Sequence, residues 1–163
     1  MDRPQLMAIV LIVLGILLAL MALGWRMRAR RQSSISAPQP IPVEPGEHLG
    51  AFTGNYVATT KAGDPLDRIA VHGLGFRGRV SVAVFSDGLA LKIAGRNDFW
   101  IAAGEVLGVS RATWTIDRVV EPDGLVRVQW RLGSHQVDTY VRLDERRGFE
   151  KAMERMTGDD GNG

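Results

Sequence analysis

The sequence predicts a mainly β fold, a partly open barrel of about seven strands capped by one C-terminal helix and preceded by a single N-terminal transmembrane helix. Three observations lead there. An uncharged apolar run fills Leu6–Trp25, short segments of alternating apolar and polar residues recur between Ala51 and Leu143, and one helical apolar pattern follows from Phe149 to Met156. A length of 163 residues holds one domain and an accessory segment. Hydrophobic residues at 45% and charged residues at 23% give the balance of a folded chain rather than a disordered one. The absence of cysteine excludes disulfide scaffolds, thiolate metal sites and cysteine nucleophiles.

The first element is the apolar run. Its twenty residues make roughly 30 Å of helix at about 1.5 Å per residue, the thickness of a bilayer's hydrocarbon core. No polar stripe runs along it, and Trp25 falls where an aromatic ring meets the headgroups. A cleaved signal peptide carries its basic residues ahead of a shorter core and small residues at the cut. Here the arginines follow the core, and Leu20–Gly24 is a poor cleavage site. Residues 1–31 therefore read as an uncleaved anchor with a basic flank. Arg26, Arg28, Arg30 and Arg31 act as topology determinants, outweighing Arg3 ahead of the span. They place the N terminus outside the plasma membrane and everything after the span in the cytoplasm.

That cluster also explains the net charge of +2. From Glu44 onward, 15 Lys and Arg face 17 Asp and Glu, so the body is near neutral and nucleic acid is not an expected partner.

Residues 32–49 carry Pro38, Pro40, Pro42 and Pro45 with few large apolar groups. This composition favours extended polyproline geometry, about 3.1 Å per residue, and predicts a spacer between anchor and domain. A Pro-x-Pro docking motif and phosphorylation at Ser33, Ser34 or Ser36 are lesser readings of the same stretch.

The β domain is expected over residues 50–158. Phe52–Thr60 is rich in β-formers and ends at a turn over Lys61–Pro65. Arg79–Phe85 and Leu89–Ile93 flank Ser86-Asp87-Gly88, a strong hairpin signal. Phe99–Ile101, Val109–Thr113, Thr115–Val120, Leu125–Leu132 and His135–Leu143 follow, with turns at Ala102–Gly108, Glu121–Gly124 and Gly133-Ser134. Asp144 is the expected cap of the last helix, whose Phe149, Ala152, Met153 and Met156 fall on one face, with Gly158 as its stop. A lone amphipathic helix after so many strands has only the sheet to pack on. Residues 159–163 read as a frayed, disordered tail.

Within this layout stand Tyr56-Val57-Ala58-Thr59-Thr60, Leu66-Asp67-Arg68-Ile69, His72-Gly73-Leu74-Gly75-Phe76-Arg77-Gly78, Val128-Gln129-Trp130-Arg131-Leu132-Gly133 and Asp138-Thr139. With the order of elements, these resemble the small single-pass actinobacterial membrane proteins that carry a pleckstrin-homology-like (PH-like) domain and are often labelled transporters or export proteins. The resemblance spans nearly the whole chain. It departs at Tyr140-Val141-Arg142, where that group reads Gly-Phe-Arg. What it implies is a fold and a bacterial membrane location, with no activity attached.

The resemblance also suggests a lipid site. Lipid-binding PH domains converge a lysine from one strand and a basic pair from the next on a phosphorylated headgroup, and Lys61 with Arg77 and Arg79 has that outline. Gly73–Gly78 matches GxGxxG formally, but a β pattern follows it where a dinucleotide site needs a helix. His48, His72 and His135 have no second histidine at metal-ligand spacing. Ser134 and His135, read as strand neighbours, point to opposite faces and form no nucleophile–base pair. Asp64, Asp67, Asp144 and Glu145 read as turn and cap residues, and Trp100, Trp114, Trp130, Tyr56 and Tyr140 as core or sheet-face residues. No catalytic residue, cofactor or metal is expected.

The leading expectation is a non-catalytic interaction or scaffold module, tethered to membrane lipid by its helix and recruiting a protein partner on the cytoplasmic face. The alternatives are a sensor of anionic lipid or phosphate ligand, and an accessory subunit of a transport or export assembly in which Gly15 and Ala19 form a small-residue helix contact.

Overall fold

A computed structural model of the chain describes residues 3–112 and 125–158. The expected strand at 115–120, Trp114 and the tail after Gly158 lie outside the described residues. The chain divides into two units, residues 1–34 and 35–163.

The first unit holds α1 (Arg3–Arg31), long and apolar enough to cross a membrane, with a mean hydropathy of 3.2 in its most apolar window. It contains the whole Leu6–Trp25 run. Its large side chains, Leu11, Leu17 and Met21 among them, are exposed and not packed against protein.

The second unit is built on β1 (His48–Lys61), β2 (Asp64–Arg68), β3 (Gly78–Phe85), β4 (Gly88–Ile93), β5 (Phe99–Ala102), β6 (Val106–Arg111), β7 (Leu125–Leu132), β8 (His135–Leu143) and α2 (Arg146–Thr157). Among the described residues the sheet has eight strands in the order β5-β4-β3-β1-β8-β7-β6, with β2 attached to the end of β1, and every pairing is antiparallel. The eighth strand relative to expectation is β2. Its Asp64-Pro65 start was read as turn, and Pro65 is tolerated because β2 is a short edge strand. β6 begins at Val106, inside the expected turn, after a short 3-10 stretch at Ala103–Glu105.

β1 organises the molecule because it is long enough to serve two partners. Its first part pairs with β3 from His48 to Tyr56, and its second part with β8 from Gly54 to Lys61. A register shift between Tyr56 and Ala58 breaks the β8 ladder, as a bulge does where a strand must bend from one half of a barrel into the other. The β7–β8 connection is a two-residue hairpin, Leu132 facing His135, and Gly133 adopts φ 61°, which only glycine reaches cheaply.

Alternate residues of each strand face inward, so Val80, Val82 and Val84 of β3 meet Leu89, Leu91 and Ile93 of β4 in one apolar core. α2 closes that core with the four side chains its spacing marks: Phe149, Ala152, Met153 and Met156 are all buried. Phe149 meets Phe52 edge to face at 5.7 Å between centroids. Gly158 ends the helix in the left-handed conformation. The cap differs from expectation. Glu145 occupies the N-cap position without a side-chain bond, while Asp144 accepts a hydrogen bond from the Thr53 hydroxyl at 3.0 Å. Asp144 therefore ties the end of β8 to β1.

One buried polar chain crosses the core. Trp130 Nε1 can only donate, and it donates to Thr139 Oγ1 at 2.9 Å. Thr139 bonds Thr59 Oγ1 at 2.8 Å, Thr59 bonds the Tyr56 hydroxyl at 2.6 Å, and Tyr56 donates to the Leu74 carbonyl at 2.7 Å. A donor-only start and an acceptor-only end fix every proton along it, so each hydroxyl gives one bond and takes one. The chain pins the loop carrying Leu74 to β1, β7 and β8.

Part of the stretch read as a spacer behaves differently. Ile35 is 3% exposed and belongs to the core cluster, its carbonyl lies 2.8 Å from His72 Nε2, and the Gln39 carbonyl accepts the Trp100 N–H at 2.8 Å. The Glu47 carbonyl accepts the Ser86 N–H at 2.8 Å, and the Glu47 N–H donates to Ser86 Oγ at 3.0 Å. Residues 35–47 thus form a strap along the sheet, anchored by the buried Ile35.

Candidate functional site

The cations expected to converge do not. Lys61, at the end of β1, is engaged by the Asp67 carboxylate at 2.7 Å. Arg79 stands opposite Asn55, six residues back along β1, so roughly 20 Å of strand separates it from Lys61. Arg77 precedes β3 in the loop, exposed, two residues from Arg79. The structure thus brings Arg77 near Arg79 and leaves Lys61 apart.

A different set gathers around Arg79. Arg142 of β8 flanks Asn55 from the other side, so Arg79 and Arg142 share one face, two strand spacings or about 10 Å apart. Lys92 of β4 pairs with Ser81 and is the diagonal neighbour of Arg79. Thr53, Ser81, Lys92 and Asp98 line a shallow depression of about 430 Å³ beside Arg79. Lys92 and Arg142 are isolated basic residues in the sequence, and only strand order reveals that they are neighbours. Asp98 in the depression and Asp144 on Thr53 temper the positive charge of this face.

The larger concavity is elsewhere. A groove of about 690 Å³ runs between β6 and α2, lined by Val106, Val109 and Arg111 on the strand side and by Glu150, Met153 and Glu154 on the helix side. Its two walls follow from the fold. β6 ends the strand order, paired only with β7 among the described residues, and α2 lies across the mouth of the sheet because its apolar face must be buried. The register makes the strand wall chemically active. The Ala112 N–H donates to Leu125 O at 3.0 Å, which makes Ser110–Arg127 a mutually bonded pair and leaves Val109 and Arg111 at the non-bonded positions. The N–H and C=O groups of Val109 and Arg111 therefore point away from β7, toward the groove.

Charge on the helix wall is unequal. Glu150 is held by Arg146 at 2.6 Å and approached by Arg111 at 3.7 Å, whereas the exposed Glu154 carboxylate has no ion pair among the described residues. At the opposite end of the sheet the strap bonds the β5 edge at Trp100.

No catalytic arrangement appears among the described residues. Gly73–Gly78 leads into β3 and opens no helix. Ser134 and His135 do approach each other, at 3.3 Å between Oγ and Nδ1, because Ser134 sits in the hairpin turn and not on the strand. Ser134 is exposed and His135 half-buried, and among the described residues no carboxylate bonds the imidazole. No group of three His, Asp or Glu side chains that could hold a metal ion occurs among the described residues. Burial raises the Tyr56 phenol well above its ordinary range against a smaller lowering by the Thr59 bond. Tyr140 is raised too, first by burial and then by the Asp138 charge, so both phenols stay protonated and structural. Asp138, 1% exposed, accepts the Gly63 N–H at 3.3 Å and faces Arg127 at 3.9 Å, while its Oδ1 has no partner.

No curated protein matches the chain. Among solved structures it is similar to the C-terminal domain of an unknown protein from Leishmania infantum, with a TM-score of 0.45 and 10% identity over 67% of this chain and 83% of that one. The family profile described as bacterial PH domain-like matches residues 35–157, starting at the buried Ile35 and ending at the last residue of α2. With most of the chain matched, the protein belongs to the bacterial PH domain-like family.

Proposed function

We propose that this protein is a single-pass membrane scaffold: α1 anchors it in the plasma membrane with its N terminus outside, and the PH-like domain recruits a protein partner on the cytoplasmic side. Membrane anchoring is supported by the unbroken apolar run, and the orientation by the four arginines that follow it. The observation that carries the recruiting role is the outer edge of β6, unpaired among the described residues and lying beside a groove.

Fusing a fluorescent protein that matures only in the cytoplasm to the C terminus, and in parallel an alkaline phosphatase active only outside, tests the topology. Fluorescence without phosphatase activity is the expected result. The reverse pattern, or a mature chain beginning after Gly24, overturns the proposal.

The row of Arg79, Arg142 and Lys92 favours a second reading, a face for an anionic lipid headgroup or phosphate ligand. Under it, added vesicles of anionic lipid bind the detergent-solubilised chain, and binding is lost on changing Arg79 and Arg142 together to Ala. Equal binding to neutral vesicles removes this reading.

A further inference from the structure

We infer that the β6–α2 groove takes an extended segment of a partner protein, which adds as a new strand to β6 and carries a basic side chain for Glu154. This deepens the recruiting role proposed above and rests on it. Three features argue for it together.

The first is the unspent hydrogen bonding of β6. Val109 and Arg111 direct backbone donors and acceptors into the groove, and among the described residues nothing bonds them. An open strand edge is a template for another strand, and proteins usually blunt it. This molecule blunts its other end: Gln39 bonds Trp100, and Pro38 and Pro40 on either side have no N–H with which to continue the sheet. β6 has no proline, and among the described residues no strap bonds its outer edge.

The second is shape. β6 has six residues, roughly 20 Å of ladder, and α2 runs beside it as a wall. A strand laid against Val109 and Arg111 turns alternate side chains toward the partly buried Val106 and Val109 and toward Met153 of the helix. The same wall argues against a second copy of this chain. Its β6 would bring its own α2 on the edge it offers, and two helices would compete for one space. A segment free on both flanks meets no such clash.

The third is charge. Arg146 and Arg111 occupy Glu150, so among the described residues the helix-wall carboxylate without an ion pair is that of Glu154. An arriving lysine or arginine finds it there.

The test uses the full chain in nanodiscs and a seven-residue probe peptide of alternating valine and threonine with one lysine. Binding is expected to slow amide exchange at Val109 and Arg111. N-methylating alternate amides of the peptide should abolish binding for one alternate set and spare it for the other, since only one set faces β6. Glu154→Lys, at an exposed site that leaves the core intact, should weaken the lysine peptide about fivefold to tenfold and favour its glutamate counterpart. Protection elsewhere than β6, indifference to N-methylation, no binding, or a dimer that already protects Val109 overturns strand addition. A photo-crosslinking residue placed in cells at Leu107 and, separately, at Lys92 distinguishes the two levels. Partner crosslinks at Lys92 alone discard the groove and keep the scaffold, whereas crosslinks at neither position discard both.

Discussion

The two ends of the sheet show how one fold treats the same liability in opposite ways. At β5, the Trp100 N–H is bonded by Gln39 of the strap, and the strap is held by the buried Ile35 and by His72. At β6, the outward groups of Val109 and Arg111 meet a groove and a helix wall instead. Both edges are antiparallel strands of ordinary composition, so the difference does not lie in the strands. It lies in what the chain places beside them. A Pro-flanked strap terminates a sheet, because proline offers no ladder donor, whereas a helix lying alongside leaves room for one more strand.

The largest expected effect tests what both edges share. Phe149→Ala removes the side chain that plugs the core against Phe52 and should cost about 3–5 kcal/mol in denaturant titrations of the detergent-solubilised chain. Both edges should then exchange their amides faster together. A cost under about 1 kcal/mol would show that α2 is an accessory to the barrel and not its closure.

Ile35→Ala separates the edges. Loss of this buried anchor should cost about 2–4 kcal/mol and speed exchange at Trp100, with β6 exchange moving only as far as global stability moves. Equal acceleration at both edges would mean that the strap stabilises the domain without sealing β5.

Tyr56 sits on the strand common to both halves, so Tyr56→Phe should lower both edges alike, by about 1–2 kcal/mol for the lost hydroxyl bonds. It should also change the alkaline limb. Burial keeps the phenol protonated in the folded state above the ordinary tyrosine value near 10, while the unfolded chain releases that proton. The folded state then binds more protons than the unfolded one. The stability is fully present below about pH 10 and declines as pH rises further, by up to about 1.4 kcal/mol per pH unit for one group. Tyr56→Phe should make that decline shallower, leaving the smaller share due to Tyr140, whose shift has the same sign. An unchanged slope would place the titration in other groups.

The smallest effect is expected at Gln39→Ala, within about 0.5 kcal/mol, because the bond to Trp100 is made by the backbone carbonyl and survives the change. A larger loss would show that the Gln39 side chain, and not only its backbone, seals the edge.

Much of this was legible from local pattern. Alternating valines marked β3, the Asp87-Gly88 pair its hairpin, and the spacing of Phe149, Ala152, Met153 and Met156 the buried face of α2. Each is a relation between residues at most a few positions apart, where strand and helix periodicity act directly. β2 was not legible, since Asp64-Pro65 carries the composition of a turn and is a strand only because it lies against the end of β1. Nor was the strap: four prolines read as a spacer, and the burial of Ile35 depends on a cavity that exists only once the strands have assembled. The candidate site was the least legible part. Lys61, Arg77 and Arg79 were near in sequence, but Lys61 is spent on Asp67 and lies far along β1 from Arg79, whereas Lys92 and Arg142 reach Arg79 through strand pairing.

By itself the sequence determined the apolar span, the β character of the domain and the helix that closes it, because hydrophobic period and turn chemistry are local and act before any long-range contact forms. Only the tertiary structure decided which strands became edges, which edge the strap would cover and which backbone groups were left facing a groove. Those outcomes depend on strand order, and strand order is a relation between residues dozens of positions apart that no local period encodes.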